Sequence, residues 1–292
     1  MNNVSSVKIN DIIEKNEKEN TSESKLTKKT SRIGRELNAV LTIAARDVTL
    51  MLKSPGLIIM SLAMPIVMMG MLGGSLSQNM SGGLQFNYGS FMMIGMLVNM
   101  LFMMTSMGLS SLVEDHDIDF TQEMMISPVS RYSIIVGKII GSSFGAIIAM
   151  LGTLVVGFFM GITLSAGQLL ATLALSPLMC LASGSFAVVI IGCIRSKKAA
   201  NMAVTMITMA QMFLAGAIIP INNSSGILLV LNRIMPMTYC LDLVRSVVYA
   251  GSPEYSSLVM FNPAVNLFAI IALTAVFLII GTFFFARSES HR

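Results

Sequence analysis

Between Lys53 and Glu114 the chain runs for sixty consecutive residues without Asp, Glu, Lys or Arg. A second uncharged stretch, 139–194, follows after a short interruption. Segments this long and apolar cannot be core strands or helices of a soluble domain, and each is too long for one membrane crossing, which takes about 20 residues. Two crossings joined by a turn fit each stretch. The whole chain agrees: 54% of its 292 residues are hydrophobic, 12% are charged, and mean hydropathy is +0.76. The expected fold class is therefore an all-α polytopic membrane protein.

Turn chemistry locates the crossings. SQNMSGGLQFNYGS at 77–90 divides the first stretch into spans near 57–77 and 89–113, and GITLSAGQ at 161–168 divides the second into spans near 133–161 and 168–194. A fifth span is expected near 199–221, ending at Pro220, and a sixth near 264–286, ending at Arg287. Pro65 should kink the first, which membrane helices tolerate when neighbours satisfy the freed carbonyl. Between the last two spans, 222–263 holds apolar pieces too short to cross, so helices that dip in from one surface, or lie on it, are expected there.

Residues 1–34 are rich in Lys, Glu, Asn, Ser and Thr and lack the apolar content to fold alone; a solvated tail is expected, with no signal-peptide core. From residue 35 the membrane domain begins. Leu37, Val40, Leu41, Ala44, Val48, Met51 and Leu52 recur at helical steps opposite Glu36, Asn38, Arg46, Asp47 and Lys53, which describes an amphipathic helix in the interface plane. Ser54-Pro55-Gly56 breaks it. Seventeen of the nineteen Lys and Arg fall in the tail, the interfacial helix, the 114–138 segment, the 195–198 turn and the C-terminal end, with Arg233 and Arg245 on the other side. The positive-inside bias places both termini in the cytoplasm, in agreement with an even number of spans.

Five of fifteen acidic residues crowd into 114–123, between the two uncharged stretches. These charges belong in water at the membrane surface. Asp115 to Asp119 suit a helix start, Phe120 and Met124 lie one turn apart, Pro128 ends the helix, and Ser130 is a suitable N-cap for the next span. A solvated loop whose charges merely stop translocation is the plainer reading; the apolar strip within the acidic run favours a helix on which another protein pushes.

The segment DFTQEMMISPVSRYSIIVGK resembles the signature of ABC-2 type permeases, especially those related to daunorubicin-type drug exporters, through Phe120, Glu123, Ser127, Pro128, Val129, Ser130, Arg131, Gly137 and Lys138. FLAGAIIP at 213–220 and MPMTYCLDLVR at 235–245 resemble the family's second motif. The resemblance covers 35–292. It implies that 114–128 is a coupling helix seated on a separate ATPase, with Asp115, Asp119, Phe120, Glu123, Met124, Ser127, Pro128 and Arg131 at the contact. It also implies a connecting helix at 35–53, an extracellular re-entrant region containing Pro220, Pro236, Tyr239, Asp242 and Arg245, and pairing as a homodimer or close heterodimer. Asp119 stands where the family commonly has Gly. The implied location is a bacterial cell membrane, and the implied cargo a hydrophobic or amphipathic compound such as a drug, antibiotic or antimicrobial peptide.

Other chemistry is sparse. There is no G-x-x-x-x-G-K-[ST], so ATP and Mg²⁺ are expected on the partner ATPase, and no cofactor on this chain. No nucleic-acid partner is expected. Twenty-seven methionines include Met92, Met93, Met96, Met100, Met103, Met104 and Met107 at helical spacing. A Cu(I) site would use such thioethers, but no Cys or His is interleaved, and flexible filler is the simpler role. Met96, Met100 and Met103 are the candidate cargo surface. Cys180, Cys193 and Cys240 read as packing residues, and His116 and His291 as isolated surface residues, so no metal site is expected. Asp242 and Arg245, three apart on a helix, are positioned to pair. An ATPase-independent secondary transporter would place ionisable residues within its spans, and the expected spans offer none. A non-transporting immunity or sensor subunit would keep the same fold and the same ATPase.

Overall fold

In a computed structural model of the chain, the described residues are 32–73, 86–112, 130–162, 164–194, 196–221 and 226–290, and among them every regular element is a helix. The expected coupling helix, 114–128, lies outside the described residues, as do the tail 1–31 and most of the turn 77–90.

Helix α1, Arg32–Leu52, occupies the amphipathic stretch. From Ala39 onward it belongs to one compact unit with the rest of the chain. Helix α2, Pro55–Met68, opens on a proline whose missing N–H costs nothing at a helix start. Pro65 within it can donate no hydrogen bond, and the helix passes into a π-helical turn at Met69–Gly73. Helix α3, Tyr88–Leu109, starts at Asn87, whose side-chain oxygen accepts from the Ser90 N–H at 3.1 Å. Helix α4, Arg131–Phe159, is capped by Ser130, whose Oγ accepts from the Tyr132 N–H, the role expected for it. Ser165 and Gln168 form a reciprocal capping box at the start of α5, Ala166–Gly192.

Helix α6, Lys197–Leu214, stops earlier than the expected 221. Gly216 takes a left-handed φ of +75° and the chain turns there, with the Ala217 N–H donating back to the Met212 carbonyl at 3.0 Å. Pro220 therefore follows the turn and does not end the helix. Helices α7, Ile227–Ile234, and α8, Pro236–Val248, meet at an 81° bend. After the single turn α9, Tyr255–Leu258, helix α10, Pro263–Ser290, completes the domain.

Among the described residues helices stand near all six expected positions, and four are long and apolar enough to cross a membrane: α3, α4, α5 and the segment that runs into α10. The bent α7–α8 pair would make a fifth if it were one broken span. Helix α2 gives way to its π turn after 14 residues, and the two lysines and the polar residues of α6 leave it less apolar than the other four.

The bundle is organised about α3, of which 78% of the spanning window is buried; the corresponding figure for the α10 segment is 17%. Close approach to α3 depends on glycine. A Cβ on Gly95 would overlap the Ala217 carbonyl, one on Gly108 would overlap Ser142 of α4, and one on Gly157 would overlap Met93. Ser183 of α5 donates to the Phe102 carbonyl at 2.8 Å and pairs with Ser106 at 3.0 Å. Where water is absent, such small and hydroxylated residues let backbones meet and satisfy the polar groups they bring.

Candidate functional site

The second motif of the sequence folds into a sewn corner around α8. Pro236 starts the helix, and its N-terminal neighbours are held by Asn232, whose Nδ2 donates to the Leu214 carbonyl at the end of α6 and to Thr238 Oγ1 at 3.2 Å. Thr238 returns a bond to the Asn232 carbonyl at 2.7 Å. Tyr239 donates through its hydroxyl to the Arg233 carbonyl and stacks on Phe261, with centroids 5.6 Å apart. At the far end, Gln168 Nε2 donates to the Val248 carbonyl at 2.7 Å.

Asp242 and Arg245 are both buried, at 2% and 3% exposure. The expected pairing of the two is not what forms. Asp242 turns toward the start of α10 and accepts from the N–H groups of Met260 and Phe261 and from Asn266 Nδ2, at 2.7, 2.9 and 2.7 Å. Arg245 turns the other way: one terminal nitrogen donates to the Gly216 carbonyl at 2.7 Å, and the guanidinium lies 3.9 Å from the centroid of Phe91. Three residues along a helix is about 60° short of a full turn, which allows these side chains to serve different neighbours. The corner joins α6, α8, α10 and the start of α3. Pro220 is half-buried beside it and makes none of these bonds.

The methionines occupy a different place from the one expected. Met96 and Met100 are each 1% exposed, on the helix most enclosed by the rest of the chain, and Met103 is half-buried. Met92, Met93 and Met96 pack with Phe91, Phe102, Met179 and Met237 in the main core. They are filler between helices, so Met96 and Met100 offer no cargo surface. Methionines that face outward include Met71 and Met160, at 71 and 42% exposure, and Met202, Met206 and Met209 on α6, at 59, 70 and 48%. No group of three His, Cys, Asp or Glu able to hold a metal is present among the described residues. Cys180 and Cys240 are buried, Cys193 is exposed, and all three are free thiols.

Of the expected coupling residues, Asp115, Asp119, Phe120, Glu123, Met124, Ser127 and Pro128 lie outside the described residues; Arg131 is exposed at the start of α4. Two turns further along α4, Lys138 is 2% exposed, which corrects the expectation of spans without ionisable residues. Its Nζ donates to Asp47 Oδ1 of α1 at 3.1 Å and to Ser111 Oγ, just beyond α3, at 2.9 Å. Beside it, Gly137, Gly141 and Gly145 face α1. A Cβ on Gly137 would stand 3.1 Å from the Val40 carbonyl oxygen, one on Gly141 2.7 Å from the Asp47 Cβ, and one on Gly145 2.6 Å from the Met51 sulfur. The Gly-Lys end of the first motif is therefore where α1 is seated. Asp47, Ser111, Asn232 and Asn266 were not singled out from the sequence, since each acts through a residue 6 to 91 positions away.

The described end of the first motif thus seats α1 on α4, and the second motif forms the sewn corner of α8. The family model described as ABC-2 type transporter matches residues 38–249, most of the chain, and the protein belongs to that family. It is accordingly a multi-pass membrane permease of the ABC-2 type, a class of membrane subunit that works with ABC ATPases. A search of curated proteins finds no match.

Proposed function

We propose that this chain is the permease subunit of an ABC exporter in a bacterial cell membrane, related to the daunorubicin-type drug exporters. It would move a hydrophobic or amphipathic compound outward with energy from ATP hydrolysed, with Mg²⁺, on a separate ATPase. The observation that carries the proposal is the family match over 38–249, together with a chain that contains no P-loop sequence of its own. The ATPase seats on 114–128, with Phe120 and Met124 as the apolar contact and Asp115, Asp119 and Glu123 as the charged rim. Both termini lie in the cytoplasm. Six crossings are completed by α2 and α6, which neighbouring helices or a second permease copy would shield where they are short. The sewn corner of α8 is the extracellular re-entrant region.

Two ATP sites require two docking helices, so a second copy or close paralogue completes the transporter. ATP-driven closure of the ATPases moves the two docking helices and shifts the permease pair between inward- and outward-open states. The test is co-purification of the ATPase with the native permease and with Phe120→Ala or Glu123→Ala. Each variant is expected to fold and to retain the ATPase several-fold less well. Undiminished retention by both would contradict the docking assignment.

A further inference from the structure

The glycines that seat α1 are spaced by four, at 137, 141 and 145. A track with that period is nearly self-similar: sliding α1 along it by one four-residue repeat, about 6 Å, would again set glycines of α4 against α1. Apolar and glycine contacts alone therefore bring α1 and α4 together without defining where along α4 it rests. The Lys138 contacts break that degeneracy. A buried cation between Asp47 of α1 and Ser111 has one register in which both partners are met, and a one-turn slip would leave a lysine and an aspartate in a largely dry interface without each other. Removing one partner of such a pair costs far more than the pair contributes net, and a lone buried polar contact is the best attested way for packed helices to fix register.

Ser111 adds a second consequence. It and Lys138 are 27 positions apart, and 113–129 lies between them in sequence. The end of α3 and a point two turns into α4, on either side of that stretch, are thus tied to each other and to α1.

We infer that Lys138, Asp47 and Ser111 form a register pin that makes α1, the end of α3 and the start of α4 move as one body when the ATPase acts on the intervening segment. Lys138 is in this sense a positioning residue, and its role rests on the docking reading above. Without the pin, force delivered to the segment is lost in slippage of α1 along the glycine track.

The experiment uses the full permease reconstituted with its ATPase, in a Cys193→Ser background, with spin labels at Leu50→Cys on α1 and Ile140→Cys on α4, both exposed, at 52 and 45%. Distances are read without nucleotide and with ATP trapped by vanadate. The native pair and Lys138→Arg are expected to give one distance common to both states. The charge-free pair Asp47→Leu/Lys138→Met is expected to keep the ATPase but, on trapping, to show a second, distinct distance population, as a slip by one repeat of the track requires. Ser111→Ala, which removes only a neutral acceptor, is expected to broaden the trapped distribution and serves if the paired variant does not fold. A single nucleotide-independent distance in these variants, or a native protein whose two labels separate on trapping, would overturn the pin. Failure of the native permease to bind any ATPase would instead overturn the docking reading, and the pin's role with it.

Discussion

Asp242 and Asn266, 24 positions apart in sequence, meet through a 2.7 Å hydrogen bond that fastens α8 to the final helix. The same carboxylate accepts from the Met260 and Phe261 N–H groups, so one buried charge holds the whole approach to α10. Hydrogen bonds to a charged group contribute about 1.5–3 kcal/mol each, and leaving their donors unmet costs more than the bonds give net. Asp242→Ala should therefore lower the detergent-solubilised melting temperature by a margin visible in any thermal scan. Asp242→Asn, which loses the charge and one acceptor, should fall between that variant and the native protein. Native-like melting of the alanine variant would show that the corner is held by other means.

Asn232 makes a narrower case. It joins the end of α6 to the α7–α8 bend through neutral bonds, so Asn232→Ala should cost about 1–3 kcal/mol, the penalty for removing the side-chain donor to the Leu214 carbonyl, while the Thr238 hydroxyl keeps its bond to the backbone carbonyl of residue 232. Thermal unfolding of the purified variant measures it, and the loss should be smaller than that of Asp242→Ala.

Glycine substitutions give the sharpest steric contrast. A Cβ at Gly95 collides with the backbone of Ala217, which has no flexible end to move aside, while a Cβ at Gly56 meets nothing within 4 Å. Gly95→Ala should destabilise by about 1–3 kcal/mol or more through overpacking, and Gly56→Ala should be neutral or slightly stabilising by less than about 1 kcal/mol through the unfolded chain. Yield of folded protein and melting temperature, measured side by side, decide the matter.

How far the sequence could lead is visible in these same residues. Uncharged runs and turn chemistry located the long helices to within a few positions, and the Ser130 cap was legible because a cap is a local motif. The end of α6 was missed because Gly216 adopts a left-handed φ that a run of small apolar residues does not announce. The Asp242–Arg245 pairing was misread because proximity on one helix is local, whereas the partners Asn266 and Gly216 come from elsewhere in the fold. Lys138 was visible as part of a motif, but its partner Asp47 is 91 positions away and nothing in either segment names the other. Periodic methionines marked a helix correctly and said nothing of which way it faces.

That last point can be measured directly. Methionine oxidation follows exposure, so mild peroxide treatment in detergent, read by peptide mass spectrometry, should convert Met202 and Met206 well before Met96 and Met100. Replacing Met96 and Met100 together by Leu should cost less than about 1.5 kcal/mol for each volume-conserving swap and leave the range of exported compounds unchanged. Early oxidation of Met96 or Met100 would mean that α3 is not enclosed as described.

The account depends most on where residues 114–128 face and what covers them. The decisive measurement places a cysteine at Met124 in a Cys193→Ser background and exposes intact cells and inside-out vesicles to a membrane-impermeant maleimide, with and without the ATPase. Labelling only in inside-out vesicles, and protection there when the ATPase is bound, is the predicted result. Labelling of intact cells, or full reactivity with the ATPase in place, would contradict the account.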